Sequence, residues 1–212
     1  MTHKVFWDDP YQTSLMTTIT RVEADRVWLA ATIFYAFSGG QESDHGTIAG
    51  QPVLLAEKTG LDIAYSLPPE HGLQAGEQVE VVIDWPRRYR LMRLHFAAEL
   101  TLETIYRDFP GVEKLGAHIA EDKARIDFAL AEPITPHLAA IGQQVQAIID
   151  ADLPIVSAFS DPLQQRRYWE VAGYSRVPCG GTHLRRTGEV GTLQLKRKNV
   201  GKGKERVEIL LA

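Results

Sequence analysis

The stretch Ile83-Asp-Trp-Pro-Arg-Arg-Tyr-Arg-Leu-Met-Arg-Leu-His95 separates two differently patterned parts of the chain. Before it, short apolar runs are divided by Gly, Asp and Pro, which is typical of strands. Trp85-Pro86 marks a boundary, because the residue before a proline is disfavoured in the helical region. After Pro86 the pattern predicts an amphipathic helix over residues 88–107, since apolar side chains recur at helical spacing: Leu91, Leu94, Ala98, Leu102 and Ile105.

The part before Trp85 is predicted to be mostly β. Four apolar stretches, 14–22, 27–34, 51–57 and 78–83, favour a small barrel or sandwich. Between the second and third lies a polar glycine-rich loop, Ser38-Gly-Gly-Gln-Glu-Ser-Asp-His-Gly-Thr47. Glycine permits positive φ and close approach of the backbone to a ligand, so this loop is either a simple turn or part of a binding site.

The part after Pro86 is predicted to be α+β. Pro136 stands where a second helix can begin. The remaining elements predicted from the pattern are a strand over 124–130 within the alternating segment 116–130, a strand over 156–160, a short helix over 162–171, and two strands, 192–198 and 206–211, joined by a Gly-Lys-Gly turn.

Length and composition describe an ordinary globular protein. The 212 residues are 44% apolar and 24% charged, with room for one large domain or two small ones. The single cysteine, Cys179, excludes an intramolecular disulfide and fits a reducing compartment. No apolar run approaches the roughly 18 residues of a membrane span, and the first residues lack a signal-peptide core, so we expect a cytoplasmic location.

The formal net charge is −4, but two cationic clusters stand out. One comprises Arg87, Arg88, Arg90 and Arg93, and the other runs from Lys196 to Arg206. Each is either a solvated face of a helix or hairpin, or a surface that contacts nucleic-acid phosphates.

Two residue pairs have the types and spacing of metal ligands. His95 and Glu99 lie at i and i+4, on one face of the predicted helix. Cys179 and His183 flank a diglycine turn that can bring both side chains to one point. Thiolate and imidazole favour zinc over magnesium or calcium. Each pair alone is also compatible with a local side-chain contact or a small buried thiol.

Five segments in order resemble the editing domain of alanyl-tRNA synthetase and its free-standing AlaX-type relatives, which are aminoacyl-tRNA deacylases. They cover nearly the whole chain, and the Cys-Gly-Gly-Thr-His and Ser-Gly-Gly-Gln motifs are the most specific. A synthetase would also need an ATP-binding aminoacylation domain, for which 212 residues leave no room. The segments are 34–48, 83–95, 116–128, 179–191 and 198–209.

The resemblance implies a small N-terminal β-barrel-like domain, residues 1–86, followed by an α/β two-layer editing domain, residues 87–212. It also implies one zinc ion per chain, held by two helix residues with Cys179 and His183. This sequence departs from the family, which has His-x-x-x-His where the chain has His95-Phe-Ala-Ala-Glu99. Three outcomes stay open: Glu99 completes the site with altered charge, the metal binds more weakly, or it is absent. His45 and His118 are substitute candidates.

The resemblance further implies a tRNA ester as substrate, most simply serine attached to the alanine tRNA, with glycine as a second candidate. Ser38, Gln41 and Asp44 of the glycine-rich loop and Thr182 beside the metal pair are the predicted pocket residues. Each could instead stabilise a turn or strand. A three-ligand zinc would activate water or bind the substrate, whereas a four-ligand zinc would be structural.

Two rival functions stay open at this point. A non-catalytic tRNA-binding module would have kept the fold and lost the metal through the Glu99 replacement. A metallohydrolase of another small ester or amide would keep the metal but not the tRNA.

Overall fold

The structure is a computed structural model that describes residues 1–212. Contacts between residues divide it into two compact units. The first comprises Met1–Ser38 and Glu42–Tyr89, and the second comprises Gly39–Gln41 and Arg90–Ala212. The predicted division into two domains after residue 86 stays a prediction, because a compact unit need not fold alone.

Nine strands build the first unit, and seven of them form one open, curled sheet in the order β6-β5-β9-β2-β3-β8-β7. β1 and β4 form a separate parallel pair. The strands are β1 (His3–Lys4), β2 (Ser14–Glu23), β3 (Arg26–Leu29), β4 (Ala31–Thr32), β5 (Gly46–Ile48), β6 (Gln51–Pro52), β7 (Leu55–Thr59), β8 (Asp62–Ser66) and β9 (Gln78–Ile83).

One face of this sheet covers the apolar core of the first unit. In β9, buried Val79, Val81 and Ile83 alternate with exposed residues, as a half-buried strand requires. They join a cluster that includes Phe34 and Tyr65, whose rings meet edge to face with centroids 5.5 Å apart.

Asp44 of the glycine-rich loop anchors its part of the loop through hydrogen bonds within the first unit. Its carboxylate accepts hydrogen bonds from the buried Arg88 guanidinium and from the Tyr35 amide (2.7 Å). Arg88 also donates to the carbonyl oxygens of Pro10 (3.0 Å) and Ile33 (2.6 Å). The charge of Arg88 is therefore matched by one carboxylate in a site closed to solvent.

The second unit holds most of the long helix α1 (Trp85–Asp108), a second helix α2 (Leu138–Asp150) and seven strands. Neither helix is long and apolar enough to cross a membrane. The strands are β10 (Glu113–Ile119), β11 (Ala124–Ala129), β12 (Val156–Asp161), β13 (Arg166–Val171), β14 (Ser175–Pro178), β15 (Leu193–Asn199) and β16 (Lys204–Leu211).

These strands form two antiparallel sheets, ordered β10-β11-β16-β15 and β12-β13-β14. The four-stranded sheet buries Ile126, Phe128, Val207 and Ile209 on one face. α2 lies along this sheet, where the Leu193 amide donates to Gln146 Oε1 (3.2 Å).

The α+β class predicted from the sequence is confirmed. β9 matches its predicted bounds, and the C-terminal hairpin β15–β16 is confirmed with its Gly-Lys-Gly turn. The stretches 27–34 and 51–57 each divide into two strands. The pattern missed β1, β5, β8 and β14, and it indicated β10 only as part of the alternating segment 116–130. α1 begins three residues earlier than predicted, because the Asp84 carboxylate caps it by accepting the Arg87 amide (3.1 Å).

The predicted short helix over 162–171 is wrong. The segment 162–165 is a turn with Gln165 at φ +54°, and β13 follows it. Arg167, Trp169 and Val171 are buried in alternation with more exposed neighbours, which is a period of two and not a helical period.

Candidate metal centre

Three potential ligand side chains meet in the second unit. α1 carries His95, the segment after β14 carries Cys179, and His183 follows four residues later. One ligand atom from each lies within 4.8 Å of the others. The distance from Cys179 Sγ to His95 Nε2 is 3.5 Å, close to the roughly 3.5 Å between ligands of one tetrahedral zinc ion.

Hydrogen bonds on the far side of each imidazole fix its orientation. His95 Nδ1 lies 3.3 Å from the Thr182 carbonyl oxygen, and His183 Nδ1 lies 3.0 Å from Ser157 Oγ on β12. When Nδ1 is the protonated nitrogen, Nε2 of each ring keeps its lone pair for a ligand, as in metal-bound histidines.

The Nε2 atom of His183 is buried and has no hydrogen-bond partner. A buried polar atom without a partner costs free energy, and a metal ion would remove that cost. Two imidazoles and a thiolate form a donor set suited to zinc, so the residues present fit this ion.

Glu99 lies next to the group of His95, Cys179 and His183 but is not a member of it. Its Oε1 lies 3.3 Å from His95 Nε2, and its Oε2 accepts a hydrogen bond from Trp169 Nε1 (3.1 Å). Trp169 on β13 is completely buried. The carboxylate is thus held with one oxygen next to the ligand atom of His95.

The electrostatics of the centre depend on burial and mutual charge. Burial alone would lower the pKa of His95, but the charges and hydrogen bonds of Cys179 and Glu99 raise it well above 6.5. Burial would raise the pKa of Glu99, yet its hydrogen bond and ion pair with His95 lower it to about 2. Burial and the positive charge of His95 lower the pKa of His183 to about 3.

Gln41 and Thr182, two of the predicted pocket residues, are bonded to each other beside this centre. Gln41 Nε2 donates to Thr182 Oγ1 (2.8 Å), and the Thr182 amide donates to Gln41 Oε1 (3.3 Å). Both residues are almost completely buried. Gly40, at φ +89°, lets the loop backbone lie against β10, because a Cβ there would lie 2.6 Å from the Ala117 carbonyl oxygen.

The other two predicted pocket residues belong to the first unit. Asp44 is engaged by Arg88 and the Tyr35 amide, and the Ser38 carbonyl accepts the Tyr35 hydroxyl (3.1 Å). His45 and His118, the substitute ligand candidates, are absent from the three-residue group.

Two arginines of the first cationic cluster, Arg87 and Arg88, belong neither to a solvated face nor to a phosphate-contacting surface. Arg88 is fully buried on Asp44, and Arg87 is buried with its guanidinium on Glu42 (2.7 Å). Arg93 donates to the Val190 carbonyl oxygen (2.9 Å). A run of arginines on a helix does not reveal which of them have buried partners.

Gly181, Ser157 and Trp169 contribute to the centre and were not predicted. A Cβ on Gly181 would lie 2.2 Å from His95 Cε1 and 2.9 Å from Gln41 Oε1, so no side chain fits there. The diglycine between Cys179 and His183 was the available signal for Gly181. Nothing in the local sequence distinguishes Ser157 or Trp169 from other strand residues.

The chain is similar to a known domain of tRNA synthetases and to an alanine–tRNA ligase. Residues 170–208, which include Cys179 and His183, match the family described as threonyl and alanyl tRNA synthetase second additional domain. The chain is also 32% identical over 235 residues to an alanine–tRNA ligase of Ignicoccus hospitalis, covering 99% of this chain and 26% of the ligase.

Over its full length, the chain is similar to free-standing editing proteins. Alanyl-tRNA editing protein AlaX-M of Pyrococcus horikoshii is 31% identical over 216 residues, covering 100% of this chain and 98% of the relative. The protein of the same name from Saccharolobus solfataricus is 31% identical over 233 residues, covering 98% of each. The chain belongs to the AlaX-M family of alanyl-tRNA editing proteins.

Proposed function

We propose that the protein is a zinc-dependent deacylase that hydrolyses mischarged alanine tRNA, with Ser-tRNA(Ala) as its main substrate. The carrying observation is the buried group of His95, Cys179 and His183 with the bonded pair Gln41–Thr182 beside it. A cytoplasmic location, where aminoacyl-tRNA is used, belongs to the same proposal.

His95, Cys179 and His183 would hold the zinc, with Glu99 as a fourth ligand or as the partner that orients His95. When bound, zinc supplies a Lewis acid for an ester carbonyl or lowers the pKa of a bound water. The hydrogen bonds from His95 to the Thr182 carbonyl and from His183 to Ser157 keep both imidazoles in the orientation that this binding needs.

The Gln41 amide would recognise the amino-acid part of the substrate. After its two bonds with Thr182, it retains a second N–H on Nε2 and a second lone pair on Oε1. A serine hydroxyl can satisfy these groups, whereas alanine would leave them unpaired in a buried place. Such a site discriminates serine from alanine by up to roughly 10⁴-fold. Ser38 is proposed as a further polar contact, and Asp44 as a loop anchor.

The decisive comparison is the hydrolysis rate of Ser-tRNA(Ala) against Ala-tRNA(Ala) at fixed ionic strength, with zinc content measured on the same preparation. We expect about one zinc per chain and a strong preference for serine. Equal rates on the two esters would contradict editing. Zinc without hydrolysis of either ester would indicate a metallohydrolase of another substrate.

Two substitutions distinguish the role of the metal ligands from that of the pocket residues. Cys179→Ala removes a thiolate ligand and should lower both zinc occupancy and hydrolysis. Gln41→Ala should reduce Ser-tRNA hydrolysis and leave zinc content near one per chain. Hydrolysis at the full rate by metal-free protein would contradict a catalytic role of zinc. Full tRNA affinity in protein that contains no metal would favour a non-catalytic tRNA-binding module.

A further inference from the structure

The four-stranded sheet of the second unit has one buried face and one charged face. Successive residues along each strand alternate between the faces, and the buried face contains Ile126, Phe128, Val207 and Ile209. On β11, β15 and β16 the opposite face, here called the outer face, contains five cations and two carboxylates. The cations are Arg125, Lys196, Lys198, Lys204 and Arg206, and the carboxylates are Asp127 and Glu208.

The two carboxylates are already neutralised within the sheet. Asp127 accepts hydrogen bonds from Arg125 (2.5 Å) and Arg206 (2.6 Å), and Glu208 pairs with Lys123 (2.8 Å) at the end of the adjoining turn. Lys196, Lys198 and Lys204 are exposed, and none of them is the ion-pair partner of either carboxylate. The outer face therefore carries an excess of positive charge on a chain whose formal net charge is −4.

Strand register connects this face to the metal centre. Lys196 pairs with Glu208, Glu208 with Arg125, and Arg125 with His118, which makes one row across the sheet. The row spans about 14 Å, three strand spacings. Next to His118, the Ile119 amide donates to the Gly40 carbonyl (2.8 Å), and Gln41 forms a bridge with Ile119. The row thus ends beside the residue that bonds Thr182.

We propose that the outer face binds the phosphates of the duplex RNA adjoining the aminoacylated end of tRNA, so that the 3′ terminus crosses the β10 edge toward Gln41. This inference rests on the proposed function. Phosphate binding by lysine is sequence-independent and releases condensed counterions, so the surface supplies affinity and leaves the choice of amino acid to the pocket.

The test compares two double variants that each remove two positive charges. Lys196→Gln with Lys198→Gln changes the outer face. Lys58→Gln with Lys114→Gln is the control, because Lys58 is an exposed residue of β7 and Lys114 is in register with buried Phe128. Affinity for uncharged tRNA is measured by fluorescence anisotropy at several salt concentrations, which requires no hydrolysis.

We expect the outer-face variant to bind on the order of tenfold more weakly near 0.1 M salt, with a logarithmic salt slope reduced by about 1.5 to 2. Its KM for Ser-tRNA should rise with kcat unchanged. The variant Lys196→Arg with Lys198→Arg should keep wild-type affinity, since arginine also binds phosphate.

The proposal would be overturned if the outer-face variant bound tRNA as tightly as the control variant does, or if it lost kcat at unchanged affinity. It would also be overturned if polyglutamate competed for the wild-type protein as well as unlabelled tRNA does. Deacylation by a wild-type protein that does not bind uncharged tRNA would overturn it as well. Outer-face-dependent binding without hydrolysis would support this surface and contradict the proposed deacylase, so the two failures are distinguishable.

Discussion

Glu99 is the residue whose chemistry distinguishes this candidate metal centre from a His-x-x-x-His site. Trp169 Nε1 holds one carboxylate oxygen, and the other lies 3.3 Å from His95 Nε2. If Glu99 is a ligand, Glu99→His should keep zinc, and Glu99→Ala should weaken zinc binding by about tenfold or more. Competition with a chromogenic chelator measures both affinities.

Trp169→Phe extends that series, because it removes the hydrogen bond to Glu99 and keeps an aromatic ring in the core. We expect an intermediate loss of zinc affinity. Unchanged affinity in Glu99→Ala would mean that Glu99 only pairs with His95 and does not bind the metal.

Gly181 tests how tightly the centre is packed. Gly181→Ala places a Cβ against the His95 ring and the Gln41 amide, so we expect about 1–3 kcal/mol lower stability and reduced hydrolysis. Gly180→Ala is the control, since a Cβ there meets nothing within 4 Å. Thermal unfolding and Ser-tRNA hydrolysis are measured on both; equal behaviour would mean that the neighbours move aside without cost.

At the residue scale, the sequence predicted that His95, Cys179 and His183 would converge, because ligand types at fixed spacing are visible in it, and the structure brings their ligand atoms within 4.8 Å of one another. It did not find that Arg87 and Arg88 are buried, since the carboxylates that neutralise them, Glu42 and Asp44, are about 45 positions away. Ion pairs of that kind depend on tertiary structure, which local composition does not record.

At the scale of elements, the glycine-rich loop depends on the buried pair Asp44–Arg88. Asp44→Asn leaves an uncompensated guanidinium, which should cost about 3–5 kcal/mol in the free energy of unfolding. Glu42→Gln, which disrupts the pair with Arg87, should cost less than Asp44→Asn, because Glu42 is partly exposed and Arg87 keeps its hydrogen bond to the Ser43 carbonyl oxygen. Urea denaturation measures both.

The same experiment separates anchoring from direct contact at Asp44. Folded, zinc-loaded Asp44→Asn protein with normal stability but no hydrolysis would assign Asp44 to substrate binding. Loss of stability with hydrolysis retained below the melting temperature would assign it to the loop.

Elements with a strong period were predictable, and short ones were not. α1 and the hairpin β15–β16 repeat their pattern over many residues, so their type was clear. The segment 162–171 begins with Pro162, a residue common in first helical turns, and its alternation over six residues was too short to outweigh that signal. β8 and β14 have five and four residues, and their neighbours in the sheets define them.

At the scale of the whole molecule, zinc affinity should depend on pH. Despite its burial, His95 has a pKa raised well above 6.5 by Cys179 and Glu99, so we expect metal-free protein to hold a proton on His95 at pH values where a free imidazole is neutral. Zinc requires that imidazole to be neutral, and binding therefore releases the proton. Apparent affinity should rise with pH, up to tenfold per pH unit below that pKa.

Isothermal titration calorimetry between pH 6 and 8, in buffers of different ionisation enthalpy, counts the protons released. Fewer protons should be released by Glu99→Gln, because losing the carboxylate lowers the pKa of His95. Release of no protons by the wild-type protein would contradict the charge assignment at the centre.

The two compact units cannot be separated by one cut in the chain. Gly39–Gln41 lies between two segments of the first unit in sequence, yet its contacts are with the second. A fragment beginning at Arg90 would retain His95, Cys179 and His183 but lose the amide that bonds Thr182. Split-gene or domain-fusion designs with this chain therefore need both pieces, and a circular permutant must keep the connections at Ser38 and Glu42 intact.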